Sequence, residues 1–468
     1  MHIIQSEDIA YTANSERLFN QLRDLPDAIW LDSGKPRSLQ GRYDIISASP
    51  KCIIETHGDC STISYQGKKT TSSEDPFAIA KQQLSQISPI DAPVDAPFVS
   101  GLIGYFSYDL GRRVVCAPTT NPSLTHLADM RIGLYLWSLV IDHKLRKSTL
   151  YFHPHCDQLL RQTIGDRLRD LQHQPPQKQG FKLRKNFAAT VSKAQYKQQI
   201  DHIKNYIAAG DCYQVNYSQH LSAPYQGSLW QAYLSLRTAS PAPYSVFWQW
   251  GQQALLSLSP ERFIQTTVEA DKLEVQTKPI KGTVLRGRSV EEDQENAIKL
   301  LNSDKDRAEN LMIVDLLRND LGKSCIAGTV KVPKLFDLES FPNVHHLVST
   351  VTGTVSPDCS PIDLLKGCFP GGSITGAPKK RAMEIIEQLE PIQRSVYCGS
   401  IGYICASNKM DTNIAIRTLI ADNSTLHCWG GGGIVADSQA DSEYQESMNK
   451  ISLLLKTLEA LEASKTMG

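Results

Sequence analysis

The chain has 468 residues with 41% hydrophobic content, enough to bury a large core in one big or two medium globular units. Lysine plus arginine number 49, as do aspartate plus glutamate, so no global field attracts nucleic acid or an anionic membrane, and any anionic substrate must be met by locally placed cations. The eleven cysteines stand singly with no C-x-x-C pair, which fits neither a disulfide framework nor a cysteine-rich zinc site but suits reduced thiols in a cytoplasmic protein.

No basic leader with an apolar run opens the sequence, and no stretch of about eighteen uncharged apolar residues occurs, so neither export signal nor membrane span is expected. Residues 1–172 carry short strand-like runs such as Ile132 to Ile141, broken by Gly, Pro and Asp turns, which predicts antiparallel sheet. His173 to Gly180 is polar and rich in Pro and Gln, so residues 173–190 read as a linker or surface loop. Ser192 can then cap a helix whose apolar positions Tyr196, Ile200, Ile203 and Ile207 share one face until Gly210 stops it. Cys60 and Cys212 follow G-x but lack the closing glycine of a nucleophile elbow, so no internal thiol hydrolase is indicated.

Leu273 to Thr277 alternates apolar and polar residues as a strand does; Pro279 ends its ladder and Gly282 frees the next backbone. Lys281 is thereby set at the tip of a strand-to-loop transition, where a lysine serves either as a nucleophile or as a solvated charge. A single long helix is expected from about Glu291 to Leu321, ending at Gly322. It carries Asp306 and Glu309 three apart, and a C-terminal helix carries Glu443 and Glu446 at the same spacing. If those helices face each other, hard oxygen ligands converge as magnesium requires; otherwise both pairs are solvated faces.

The tandem His345-His346 has no metal-like histidine nearby, and packed or capping roles are commoner for such residues. Phe369 to Lys380 resembles a phosphate loop but fails the P-loop test, because Gly376 is followed by Ala377-Pro378; its free amides suit a carboxylate. Gly431 to Ala436 matches a relaxed dinucleotide fingerprint, yet only 32 residues follow, too few for a Rossmann unit. Arg417 lies inside the apolar alternation Ile414 to Thr418 and needs an anion, supplied by a bound carboxylate or by an internal acid. Strands and helices mix without regular alternation or repeat, giving an α+β class.

Taken together, the chain resembles the chorismate-utilising enzymes. Seven ordered blocks carry the resemblance: Gly210 to Asn216, Ser257 to Phe263, Pro279 to Thr283, Lys305 to Asn310 with Val314 to Asp320, Val344 to Ser349, Phe369 to Lys379, and Gly431 to Ser438. Leu31 to Gly34, Arg42-Tyr43-Asp44 and Tyr105 to Gly111 extend it through the N-terminal region. The resemblance implies a large layered α/β/β/α sandwich of mostly antiparallel sheets with helices outside. Within it, 1–172 is the N-terminal region and 191–460 the chorismate-binding catalytic region.

The site roles follow from the resemblance alone. Glu309 and Glu446 match Mg²⁺ ligands, with Asp306 and Glu443 beside them as further ligands or water holders. Glu261 matches the general acid for the departing 4-hydroxyl, and His346 the histidine near the reacting ring. Arg417, Tyr403, Lys450, the Gly431, Gly432 and Gly433 amides, Thr375, Gly376 and Gln214 match the substrate-binding set. Family members that make anthranilate or isochorismate have alanine where Lys281 stands, and those that make isochorismate or salicylate have a water-activating lysine at Gln214. Lysine at 281 with glutamine at 214 is the pattern for amination of chorismate at C4, on the route to 4-aminobenzoate and folate, with Lys281 forming a covalent intermediate. That role requires a neutral amine, so a Lys281 pKa depressed by burial beside Mg²⁺ and Arg417 is expected. The implied partners are chorismate, ammonia and a separate glutamine amidotransferase subunit, with neither nucleic acid nor membrane. The alternatives are the anthranilate-forming component I, or a non-catalytic subunit that binds chorismate or tryptophan. Ser33, Arg42, Tyr43, Pro243, Tyr244 and Ser245 fall where the family has an L-tryptophan pocket.

Overall fold

A computed structural model describes residues 2–38, 40–117, 119–170, 180–340 and 344–463. Among these, two large and almost wholly antiparallel sheets of 12 and 13 strands dominate. The smaller runs Ile280–Leu285, Val344–Thr354, Lys272–Thr277, Arg262–Glu269, Met410–Asn413, Ser400–Cys405, Gly101–Phe106, Met130–Tyr135, Cys52–His57, Cys60–Tyr65 and Lys68–Ser72, with Lys331–Ser340 also on Val344–Thr354. The larger is built around Gln214–Gln226, Thr425–Ile434, Thr418–Asp422, Gln253–Ser259, Tyr244–Trp250 and Ile29–Asp32, then continues through Tyr43–Ser47, Trp137–Asp142, Lys147–Phe152 and Gln5–Ile9. Each sheet therefore takes strands from both ends of the chain. The two meet face to face: the Tyr105 ring lies 6.1 Å from that of Trp248, and the Arg131 guanidinium stacks on Trp248 and Trp250 at 5.0 and 4.7 Å.

Helices cover the outer faces. Lys193–Ala208, Leu229–Ala239, Lys379–Leu389 and Ala440–Ala463 pack on the larger sheet, while Pro76–Ser85, Val290–Leu301 and Asp304–Gly322 pack on the smaller. The α/β/β/α layering expected from the family resemblance is what forms. Ser192 caps its helix as its sequence predicts, in a full capping box with Gln195. Of the 173–190 stretch, residues 173–179 lie outside the described residues, whereas Lys182–Leu183 and Ala188–Ala189 add short strands to Gln214–Gln226.

Three local expectations change. The apolar run from Ile132 to Ile141 is two strands in different sheets, because the chain crosses from one to the other at Leu136. The long helix 291–321 is two helices, Val290–Leu301 and Asp304–Gly322, since Asn302 leaves helical geometry and Ser303 caps the second by accepting from the Asp306 amide at 3.3 Å. Lys281 does not end a ladder. Pairing resumes after Pro279 in the edge strand Ile280–Leu285, with Ile280 opposite Val348 and Thr283 opposite His346. One residue is therefore extra on the lysine strand, a bulge made possible by Gly282 at φ +82°.

Candidate active site

The bulge re-aims Lys281 away from the ladder and into a ring of charge. Burial pulls its amine below the ordinary lysine range, and the like charge of Lys450 adds to this, against the opposing carboxylates of Glu309, Glu261 and Glu446. The direction is the expected one, but the like charge is Lys450 rather than Arg417. A Cβ at Gly282 would stand 3.0 Å from Cβ and Cγ of Asp306, so the bulge also seats the start of the acidic helix against the lysine strand.

Glu261 sits in the turn between Gln253–Ser259 and Arg262–Glu269. Its amide donates to Ser259 Oγ at 3.2 Å, its carbonyl accepts from Ile414 N at 3.0 Å, and its Oε1 accepts from Ser373 Oγ at 3.1 Å. Burial raises this carboxyl above its ordinary range, while Lys281, Ser373 and Lys450 act against the rise. A buried acid inclined to keep its proton thus stands within the field of a partly buried amine inclined to shed one. Such opposed shifts are what a general acid and an amine nucleophile each require.

Two further acids come from separate helices. Burial raises Glu309, with Asp306 and Glu446 as like charges, against Lys281 and Lys305. Burial also pushes Glu446 upward, but Lys450, Lys305 and Lys281 outweigh it and leave the group below its ordinary range; Lys450 Nζ lies 2.8 Å from its Oε1. Glu443 is buried and accepts from Ser438 Oγ at 2.7 Å. A Cβ at Gly432 would point into this group, 3.5 Å from Lys450 Nζ, 3.6 Å from Glu443 Oε2 and 3.7 Å from Glu446 Oε1. Among the described residues no three carboxylate, histidine or cysteine side chains form a ready-made cage. Two mutually repelling hard-oxygen groups, Glu309 and Glu446, still fit Mg²⁺, which takes one or two protein carboxylates and fills its remaining positions with water and substrate oxygen.

The substrate-binding candidates separate. Lys450 Nζ reaches the Gly431 carbonyl at 3.0 Å, so it bridges the glycine strand and the acids. Gly433 faces Gln214, where a Cβ would come within 2.6 Å of Nε2, and Gly376, at φ +141°, lets the loop approach Gln214 O more closely than any side chain allows. Thr375 Oγ1 donates to Gly371 O at 2.9 Å and closes that loop. His346 shares a 2.7 Å hydrogen bond between Nδ1 and Thr283 Oγ1. Burial and then Arg417 push its pKa down to about 4, so it is a neutral imidazole at pH 7. Its neighbour His345 is held elsewhere by Ser340 and Asp293. Arg417, at φ +49°, meets no acid among the described residues, so the internal partner its sequence left open is not found there.

Tyr403 does not join this group. It lines a second cavity of about 580 Å³ with Arg42, Tyr43, Pro243, Tyr244, Ser245, Arg262 and Asp411. Arg42 is tied to Asp142 at 2.8 Å and stacks on Tyr43 at 4.5 Å, while Arg262 is bidentate to Asp411 at 2.9 Å and lies over Tyr244 at 5.1 Å. Ser33 is buried behind the wall, its hydroxyl without a partner among the described residues, and Gly41 packs directly on its carbonyl. The alternation of Arg262–Glu269 could have signalled that Arg262 faces away from Glu261 and into this cavity. The hydrogen bond of Ser373 to the acid had only its place in a glycine-rich loop as a cue.

The chain matches the chorismate binding enzyme family over residues 27–456. It is 46% identical to aminodeoxychorismate synthase component 1 of Escherichia coli over 95% of this chain and 96% of that one, and 34% identical to anthranilate synthase component 1 of Synechocystis over 90% and 88%. Anthranilate synthase component I from Streptococcus pneumoniae superposes with a TM-score of 0.77 at 30% identity, covering 90% of this chain and 93% of the other. By sequence and by fold, this chain belongs to the chorismate binding enzyme family.

Proposed function

We propose that this chain converts chorismate and ammonia to 4-amino-4-deoxychorismate, as component I of an aminodeoxychorismate synthase serving 4-aminobenzoate and folate synthesis. The observation that carries the reading is Lys281, partly buried and within the field of Glu261. A lysine with the ordinary pKa of about 10.4 is neutral less than about one part in a thousand at pH 7, a handicap of roughly 4–5 kcal/mol, and burial beside Lys450 reduces it. The Lys281 lone pair forms a bond to C2, both conjugated ring double bonds shift (C1=C2 to C1=C6 and C5=C6 to C4=C5), and the 4-hydroxyl leaves as water with the proton of Glu261. Ammonia then forms the C4–N bond, both double bonds shift back, and Lys281 departs from C2 while Glu261 takes the surplus proton. Two easier displacements replace one hard one.

Arg417 and Lys450 would hold the substrate carboxylates, with neutral His346 at the ring. Glu309 and Glu446 would hold Mg²⁺, with Asp306 and Glu443 beside them, and the ion would supply positive charge to the ring carboxylate. Ammonia would come from a separate glutamine amidotransferase subunit. The second cavity suits L-tryptophan, offering three tyrosines and the Arg262–Asp411 pair.

Intact-mass detection of a chorismate-derived adduct tests the nucleophile. The adduct is expected in the wild type and absent in Lys281→Ala; an adduct that persists in that variant sinks the assignment. Likeness to anthranilate synthases favours a second reading, anthranilate formation. Incubation with chorismate, Mg²⁺ and high ammonium decides between the two, because fluorescent anthranilate without added lyase would refute C4 amination. Turnover of either kind excludes a purely binding subunit.

A further inference from the structure

On one face of the strand Gln214–Gln226, two consecutive carboxamides have polar atoms without a partner among the described residues. Gln214 is fully buried, and neither its Oε1 nor its Nε2 meets a hydrogen-bond partner there; Asn216 is 7% exposed and its Oδ1 has none there either. A buried polar group left unbonded is costly, so the pair calls for a ligand that completes it. Residues two apart on a strand leave the same face, about 6.6 Å from each other. The next residue on that face shows the contrast: Ser218 Oγ donates to Glu390 Oε1 at 2.8 Å, and Arg394 holds that carboxylate in turn.

The backbone of Asn216 is already occupied, its N–H donating to Thr375 O at 2.8 Å and its carbonyl accepting from Arg394 Nη2 at 2.6 Å. Its carboxamide Oδ1 has no partner among the described residues. It lies on the loop that carries Ser373, which holds Glu261, and Asn216 pairs across the sheet with Gly433, whose missing side chain makes room for Gln214. The two carboxamides and the acid therefore flank the Gly371 to Gly376 segment.

We propose that Asn216, with Gln214, receives the ammonia that attacks C4. The proposal rests on the amination reading above and supplies a place for its second reactant. Ammonia has three N–H donors and one lone pair. Carbonyl acceptors can hold the N–H bonds and leave the lone pair aimed at the ring, and being neutral they favour ammonium less than a carboxylate would. In the step they serve, the nitrogen lone pair forms the C4–N bond, both conjugated ring double bonds shift back, the C2–Nζ bond to Lys281 breaks with its electrons returning to the lysine, and the proton shed by the new ammonium goes to the Glu261 carboxylate.

Rapid-quench intact-mass measurements and steady-state kinetics with ammonium as the nitrogen source test this in Asn216→Leu, which keeps the size and removes the acceptor. The Lys281 adduct is expected to form at a rate within twofold of wild type, its discharge to slow, and the KM for ammonia to rise at least tenfold while that for chorismate stays within twofold. Asn216→Ser, which restores an acceptor, is expected to recover part of the loss, and it decides alone if Asn216→Leu does not fold. An ammonia KM within twofold of wild type in a folded variant, or a parallel rise in both KM values, overturns the proposal. Absence of any adduct in the wild type would instead count against the lysine mechanism, leaving the ammonia KM to judge the carboxamides.

Discussion

Ser373 Oγ donates to Glu261 Oε1 at 3.1 Å, and this bond opposes the rise that burial imposes on the acid. It stabilises the ionised form, so its removal lets the pKa rise further. In Ser373→Ala the basic limb of the kcat/KM profile is therefore expected to move to higher pH. The rate at the optimum should fall about tenfold, short of the ~10²–10⁴ a whole general acid supplies, because the carboxyl remains but is no longer oriented. Ser373→Thr should restore both. A basic limb that stays in place in Ser373→Ala would show that the serine does not act on Glu261.

Lys450 acts on Lys281 in the opposite sense. As a like charge it helps to keep the Lys281 pKa low, and Lys450→Met removes that help while leaving the effect of burial. The Lys281 pKa should rise, so the acid limb of kcat should move to higher pH and the rate deficit at pH 7 should narrow as the pH increases. Lys450 also touches Glu446 and Gly431, so a rise of roughly tenfold in the chorismate KM is expected alongside. A uniform loss at all pH values would mean that the two lysines are not coupled.

What the sequence disclosed about this site, and what it hid, follow from the range of the interactions involved. Pro279 and Gly282 mark Lys281 because they act on its own backbone, and Ser192 with Gln195 marks a helix start for the same reason. The convergence of Glu261, Lys281, Glu309 and Glu446 depends on strand register and on two helices far apart in the chain, Asp304–Gly322 and Ala440–Ala463, which no local period encodes. Even local signals compete: Ser303 with Asp306 is a capping pattern, but Leu300, Leu301, Met312 and Ile313 continue the helical spacing across it. The strand Ser400–Cys405 is buried on both faces, so alternation cannot tell which way Tyr403 points.

The position of Tyr403 makes a separable expectation. Its ring packs on Phe98 at 5.3 Å and faces Tyr43 and Arg262 across the second cavity. Tyr403→Ala should leave the chorismate KM within about twofold and abolish any rise in melting temperature caused by millimolar L-tryptophan, which at saturation roughly 100-fold above Kd corresponds to about 2.7 kcal/mol of stabilisation. A selective loss of chorismate affinity with tryptophan binding intact would return Tyr403 to the catalytic site.

Acid should weaken the fold through its buried histidines. His220 shares a 3.0 Å hydrogen bond between its Nε2 and Nδ1 of His427, and burial lowers the pair to about 3 and about 4, with His427 adding to the effect on His220. Burial likewise lowers His153 to about 4, helped by His155, His2 and Lys51 and opposed by the Ile87 carbonyl at 3.3 Å. These folded-state values lie below the unfolded value of about 6.5, so between them the unfolded chain binds more protons. The stability these residues permit is complete above about pH 6.5 and is lost as pH falls through the window toward about 4, at up to ~1.4 kcal/mol per pH unit for each histidine. Buried Glu261 and Glu309, with raised values, work the other way, so a single site must be isolated. His153→Gln keeps an N–H for the Ile87 carbonyl but cannot titrate. Between pH 7 and pH 5 its loss of unfolding free energy, measured by urea denaturation, should be smaller than that of the wild type by about 1–2 kcal/mol. Equal losses in the two proteins would show that His153 is protonated alike in the folded and unfolded states.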